Sequence, residues 1–89
     1  MVIMIISTVD LKKKIIYRST YRGSKEMDNL IGSFTKRIIN ELDYNELINL
    51  SDLLNIDDEN LMKFNQGLKT SVSIKENKVS KLFKIYKSN

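Results

Sequence analysis

The chain has 89 residues, carries a formal net charge of +4 and contains no cysteine, histidine, tryptophan or proline. These absences exclude disulfides and thiolate chemistry, zinc sites built on Cys or His and imidazole acid–base catalysis. A chain this short makes one domain and buries only about 60–65% of its unfolded surface, and the lack of proline suits a protein that is helix from end to end.

Residues 1–6 (MVIMII) are apolar. They lack the basic leader and small-residue cleavage site of a signal peptide and fall far short of the ~20 residues of a membrane span. They read as part of an N-terminal extension over 1–7, disordered or packed loosely on a helical domain at 8–89, or as an over-long start with Met4 the true initiator. With no targeting segment, the expected location is the bacterial cytoplasm.

Apolar spacing predicts five helices, hence an all-α, compact five-helix bundle in a single small domain. The first runs over 8–21, with Ser7 or Thr8 as N-cap and Leu11, Ile15 and Ile16 buried. The β-prone runs at 3–6 and Ile15-Ile16-Tyr17 offer a strand as the alternative, and the lysine run 12–14 favours helix. Gly23 ends this helix, because glycine tolerates the left-handed backbone that closes a last turn. Ser24 caps the second helix with its hydroxyl, whose stripe is Met27, Leu30, Ile31, Phe34, Ile38 and Leu42. Gly32 lies inside it at a cost of about 1 kcal/mol relative to alanine, which a close helix–helix contact would offset. The third helix starts at Asp43, with Glu46 completing a capping box, and buries Leu47, Leu50 and Leu54. Asp57 caps the fourth, Asp58 and Glu59 complement its dipole, Leu61, Met62 and Phe64 face inward, and Gly67 ends it. Ser73 and Glu76 form a further capping box. The last helix then buries Val79, Leu82, Phe83 and Tyr86 and exposes a series of lysines.

Charge is segregated along the chain. Residues 10–25 carry net +5, residues 26–63 net −6 and residues 64–89 net +5. Two basic ends around an acidic middle suit a polar docking surface better than a uniform polyanion binder. Asp57-Asp58-Glu59 lacks the glycine and closing glutamate of a calcium loop and reads as helix capping, so no metal is assigned. No nucleophile–base constellation or phosphate-binding loop is visible, so no catalytic residue is assigned and the protein reads as a non-enzyme. The competing class is a small basic helical nucleic-acid binder, with Lys12, Lys13, Lys14, Arg18, Arg22, Lys25 and the last helix touching phosphates. The acidic middle opposes it, and no base-reading set stands out on one helix.

The distinctive chemistry lies in Arg22-Gly23-Ser24-Lys25-Glu26, two opposite charges around a glycine corner. Arg22 and Glu26 read either as an exposed i, i+4 pair worth a few tenths of a kcal/mol or as docking groups, the guanidinium recognising a partner carboxylate through two parallel bonds. Gly23 reads as a terminator, as a place where a partner backbone comes close, or as both. Tyr17 and Tyr21 read as core edge.

With its flanks, the corner resembles a known family motif. Lys13-Lys14-Ile15-Ile16-Tyr17-Arg18-Ser19, then Arg22-Gly23, Glu26, Asp28, Leu30-Ile31 and Phe34 resemble the RGxxE region of the succinate dehydrogenase assembly factors, the small flavinator proteins of bacteria and mitochondria. Glu46-Leu47, Leu53-Leu54, Asp57-Asp58, Leu61 and Phe64 extend the similarity, which covers about residues 11–67. Tyr21 stands where a basic residue is frequent, Phe64 where Trp is common and Asn60 where Asp is frequent. The resemblance implies an assembly chaperone that binds the flavoprotein subunit of succinate dehydrogenase or fumarate reductase and promotes covalent FAD attachment to a histidine of that partner. It implies partner-binding roles for Tyr17, Arg18, Arg22, Gly23, Glu26 and Asp28. The protein would have no cofactor of its own, since the FAD belongs to the client, and it would neither bind nucleic acid nor insert into a membrane.

Overall fold

The computed structural model describes residues 7–87. Among them the chain forms α1 (Thr8–Thr20), α2 (Lys25–Ile38), a 3₁₀ turn (Ile39–Glu41), α3 (Tyr44–Leu53), α4 (Asp58–Asn65) and α5 (Lys78–Ile85), with no strand. The all-α five-helix expectation holds, and the strand alternative for residues 15–17 does not. The apolar extension lies outside the described residues apart from Ser7, which belongs to the domain as the N-cap of α1.

Each helix begins where a short polar side chain accepts a free backbone N–H. Ser7 accepts from Asp10, Ser24 from Met27, Asp43 from Glu46 and Asp57 from Asn60. At Asp43 the capping box is complete, since the Glu46 carboxylate accepts from the Asp43 N–H in return. Two expectations need correction. The last helix starts from Asn77, whose side chain accepts from Ser80 N–H while the Ser80 hydroxyl accepts from Asn77 N–H, and not from Ser73 and Glu76. Residues up to 77 are held otherwise: Ser71 donates its N–H to Asn60 and Glu76 pairs with Lys81. The α2 stripe also stops at Ile38. Leu42 is buried as expected, but from extended backbone after the 3₁₀ turn, which lets Asp43 take the extended conformation a cap requires.

The core collects one face from every helix: Ile15, Ile31, Phe34, Leu47, Leu50, Leu61, Val79 and Phe83 are all but sealed from solvent. Phe34 meets Phe83 and Tyr86 with ring centroids 5.1 and 5.3 Å apart, in the tilted geometry aromatic quadrupoles favour. The Tyr86 hydroxyl donates to Ser33 at 2.8 Å. Buried Asn65 donates to the carbonyls of Phe83 and Tyr86 and so closes the end of α5. At Gly32, α1 and α2 pack closely: a Cβ there would lie 3.5 Å from the Ser19 carbonyl oxygen. The expected close approach is present, with room for one methyl group. No described helix is long and apolar enough to cross a membrane.

Candidate functional site

The α1–α2 corner is built from both ends. Helix α1 finishes at Thr20, where the Tyr21 N–H reaches the Tyr17 carbonyl at 3.2 Å. Helix α2 begins one residue after Ser24. Gly23 lies between them at φ +111°, in the region that favours glycine. It sits three residues beyond the end of α1, so it bends the connection and does not close the last helical turn. No atom beyond its chain neighbours lies within 4 Å of where its Cβ would stand. The corner therefore presents bare backbone to the outside.

Arg22 turns inward. Its Nε and Nη2 both reach Asp58 Oδ1, at 2.9 and 2.8 Å. Its Nη1 donates to the Leu54 carbonyl at 2.8 Å and its Nη2 to the Ile56 carbonyl at 2.9 Å. Those carbonyls belong to the turn after α3, where helix termini leave acceptors unmet, and Asp58 stands in the first turn of α4. The Arg22 side chain is only 11% exposed. The fork that suits a carboxylate is thus engaged by an internal one, and the exposed Arg22–Glu26 pair considered from sequence gives way to an Arg22–Asp58 staple. The Arg22 backbone N–H is held as well, by the Asp28 carboxylate.

Arg18, half-buried, behaves in the same way. It donates to the Ser51 hydroxyl at 3.0 Å and also engages Asn55, across the end of α3. Two arginines four residues apart therefore fasten the corner to the end of α3 and the start of α4. The two arginines stand out along the chain, but Ser51, Leu54, Asn55, Ile56 and Asp58 lie more than thirty residues away and carry no local signal of this role.

The other expected site residues face solvent. Glu26 is exposed in the first turn of α2, where the helix dipole favours an acid. Tyr17 is 59% exposed and Tyr21 72%, and their rings pair with centroids 4.8 Å apart. They form an aromatic surface, which corrects the core-edge expectation, because the α1 face that meets the core is taken by Leu11, Ile15 and Ser19. Tyr17, Tyr21, Gly23, Lys25 and Glu26 are thus exposed at and around the corner, which Arg18, Arg22 and Asp28 fasten.

The acidic triplet is fully engaged in structure. Asp57 caps α4, Asp58 holds Arg22 and Glu59 pairs with Lys63 at 3.6 Å. Hydrogen bonds from the Asn60 side-chain amide, and then from its backbone, hold the Asp57 carboxyl below its ordinary range. The basic C-terminal helix is partly neutralised, Lys78 by Glu46 and Lys81 by Glu76.

A family model described as "Flavinator of succinate dehydrogenase" matches residues 13–87. The match runs from within α1 to the end of α5, taking in the corner and the staple, and extends the similarity seen from sequence through α5. No curated protein and no solved structure matches the chain.

Proposed function

Because this chain belongs to the family of flavinators of succinate dehydrogenase, we propose that it is an assembly chaperone that binds the flavoprotein subunit of that enzyme and promotes covalent attachment of FAD to a histidine of the subunit. Its own chain has no histidine or cysteine to carry the flavin. The bond would form within the client, between cofactor and acceptor side chain, and this protein would supply alignment. Holding reacting groups in register accelerates an intramolecular step by orders of magnitude, and the chemistry stays with the cofactor and its host.

The observation that carries the reading is the bare Gly23 backbone at φ +111°, with exposed Tyr21 and Glu26 on either side of it in the chain and the Arg22–Asp58 staple holding the corner. A site that aligns another protein needs a contact surface whose shape is fixed before the partner arrives. In this reading Gly23, Glu26, Tyr17 and Tyr21 touch the client, and Arg18, Arg22 and Asp28 position them.

The test is the product. Client flavoprotein made without this protein should hold little covalent FAD, and its co-expression should raise the covalent fraction severalfold, read as flavin fluorescence retained in a denaturing gel. Equal fluorescence with and without it, at matched flavin supply, would refute the function.

A further inference from the structure

The outward face of the corner continues into a shallow groove between α1 and α2. Its floor is Gly32 with Thr20, and its walls are Tyr21, Lys25, Asn29 and Lys36. Residues 25, 29, 32 and 36 recur at helical spacing, so they form one stripe of α2. On α1, Lys13, Tyr17 and Tyr21, all exposed, recur at intervals of four, and Tyr21 lines the groove.

The groove carries exposed positive charge. Among the described residues, the lysines in ion pairs are Lys63, Lys78 and Lys81, matched to Glu59, Glu46 and Glu76. Lys13, Lys25 and Lys36, all exposed, make no ion pair among the described residues. The one carboxylate lining the groove, Asp28, accepts from the Arg22 backbone N–H. Two unmatched lysines, Lys25 and Lys36, thus line the groove beside exposed Tyr21.

We infer that this groove binds an acidic segment of the client flavoprotein, with Lys25 and Lys36 meeting its carboxylates and Tyr21 packing on its backbone or side chains. The inference rests on the proposed function and adds the chemistry of the docking partner. Close lysine–carboxylate pairs across an interface steer encounter and make binding salt-dependent.

The experiment titrates purified client flavoprotein into this protein by calorimetry, at low and at raised salt. The parent should bind, and more weakly as salt rises. The double variant Lys25→Glu, Lys36→Glu should bind at least tenfold more weakly and lose most of the salt dependence, with its helical circular dichroism unchanged. Tyr21→Ala should weaken binding severalfold. The control Lys69→Glu, Lys75→Glu makes the same change in net charge outside the groove and should bind within about twofold of the parent. If the parent binds and the groove variant matches it, the groove inference is overturned and the proposed function stands. If the parent does not bind the flavoprotein, both are overturned. A groove variant that loses affinity only for a single-stranded oligonucleotide, while binding flavoprotein normally, would overturn the inference in favour of a nucleic-acid surface.

Discussion

Gly23 and Gly67 both adopt positive φ, +111° and +76°, and both have open space where a Cβ would stand. The corners around them are built differently. At Gly67 the turn is closed by neighbours: its N–H reaches the Phe64 carbonyl and the Leu68 N–H reaches the Lys63 carbonyl at 2.8 Å, the bonding that ends a helix on a left-handed residue. At Gly23 side chains from elsewhere hold the backbone, with Asp28 on the Arg22 N–H and the Arg22 guanidinium on Asp58, Leu54 and Ile56. One glycine is punctuation, sufficient in itself. The other is a presented surface, and its shape depends on the remote helices that Arg22 fastens.

The largest effect is expected of Arg22→Ala. It leaves the Leu54 and Ile56 carbonyls and the Asp58 carboxylate without their donor in a part-buried setting, where hydrogen bonds to charged groups are worth about 1.5–3 kcal/mol. The variant should lose about 2 kcal/mol, which for a domain this size lowers Tm by roughly 10 °C. Thermal and urea unfolding followed by circular dichroism measure this. A loss below about 0.5 kcal/mol, the range of exposed surface changes, would mean that the guanidinium is not a staple.

Next come the glycines themselves. Gly23→Arg and Gly67→Ala should each cost about 1–2 kcal/mol from strain at a left-handed residue. Only Gly23→Arg should abolish client binding, since it adds bulk and charge to the bare corner. If the folded Gly23→Arg protein binds the flavoprotein normally, the corner is not the docking site. A third glycine sharpens the contrast. Gly32→Ala should raise stability by up to about 1 kcal/mol through helix propensity, because the new methyl would sit 3.5 Å from the Ser19 carbonyl oxygen, an ordinary contact. A net loss in unfolding experiments would show that α1 cannot accommodate it.

Smaller still is the stability effect of Glu26→Ala, expected within about 0.5 kcal/mol of the parent although client binding weakens. Unfolding of the protein with unimpaired binding by the folded fraction would reverse that assignment. A comparably small loss at neutral pH belongs to Asp57→Asn, in which asparagine still caps the helix but offers Asn60 one acceptor oxygen in place of two. Its signature is in acid. The Asp57 carboxyl is held below its ordinary value by Asn60, so the stability it contributes is present above the ordinary carboxylate range and is lost as pH falls through the lowered value. Unfolding curves across acid pH should show a shallower decline for Asp57→Asn than for the parent, and parallel curves would remove Asp57 from the acid response.

Whatever short-range physics controls was legible in the residues alone. Ser7, Ser24, Asp43 and Asp57 cap their helices because a short side-chain oxygen meets an N–H three residues on. The stripes of α2 and α5 are buried because 3.6-residue periodicity puts them on one face. The similarity around Arg22-Gly23 and Glu26 identified the family. Where two local patterns competed, as between Ser73 with Glu76 and Asn77 with Ser80, only the folded chain chose, since Asn60 and Lys81 engage the preceding segment. Tertiary structure alone decided which corner residues face outward. Periodicity does not reveal that Arg18 and Arg22 find their acceptors 32 to 37 residues away, nor that Tyr17 and Tyr21 remain on the surface, because both depend on how α1 lies against α3 and the start of α4.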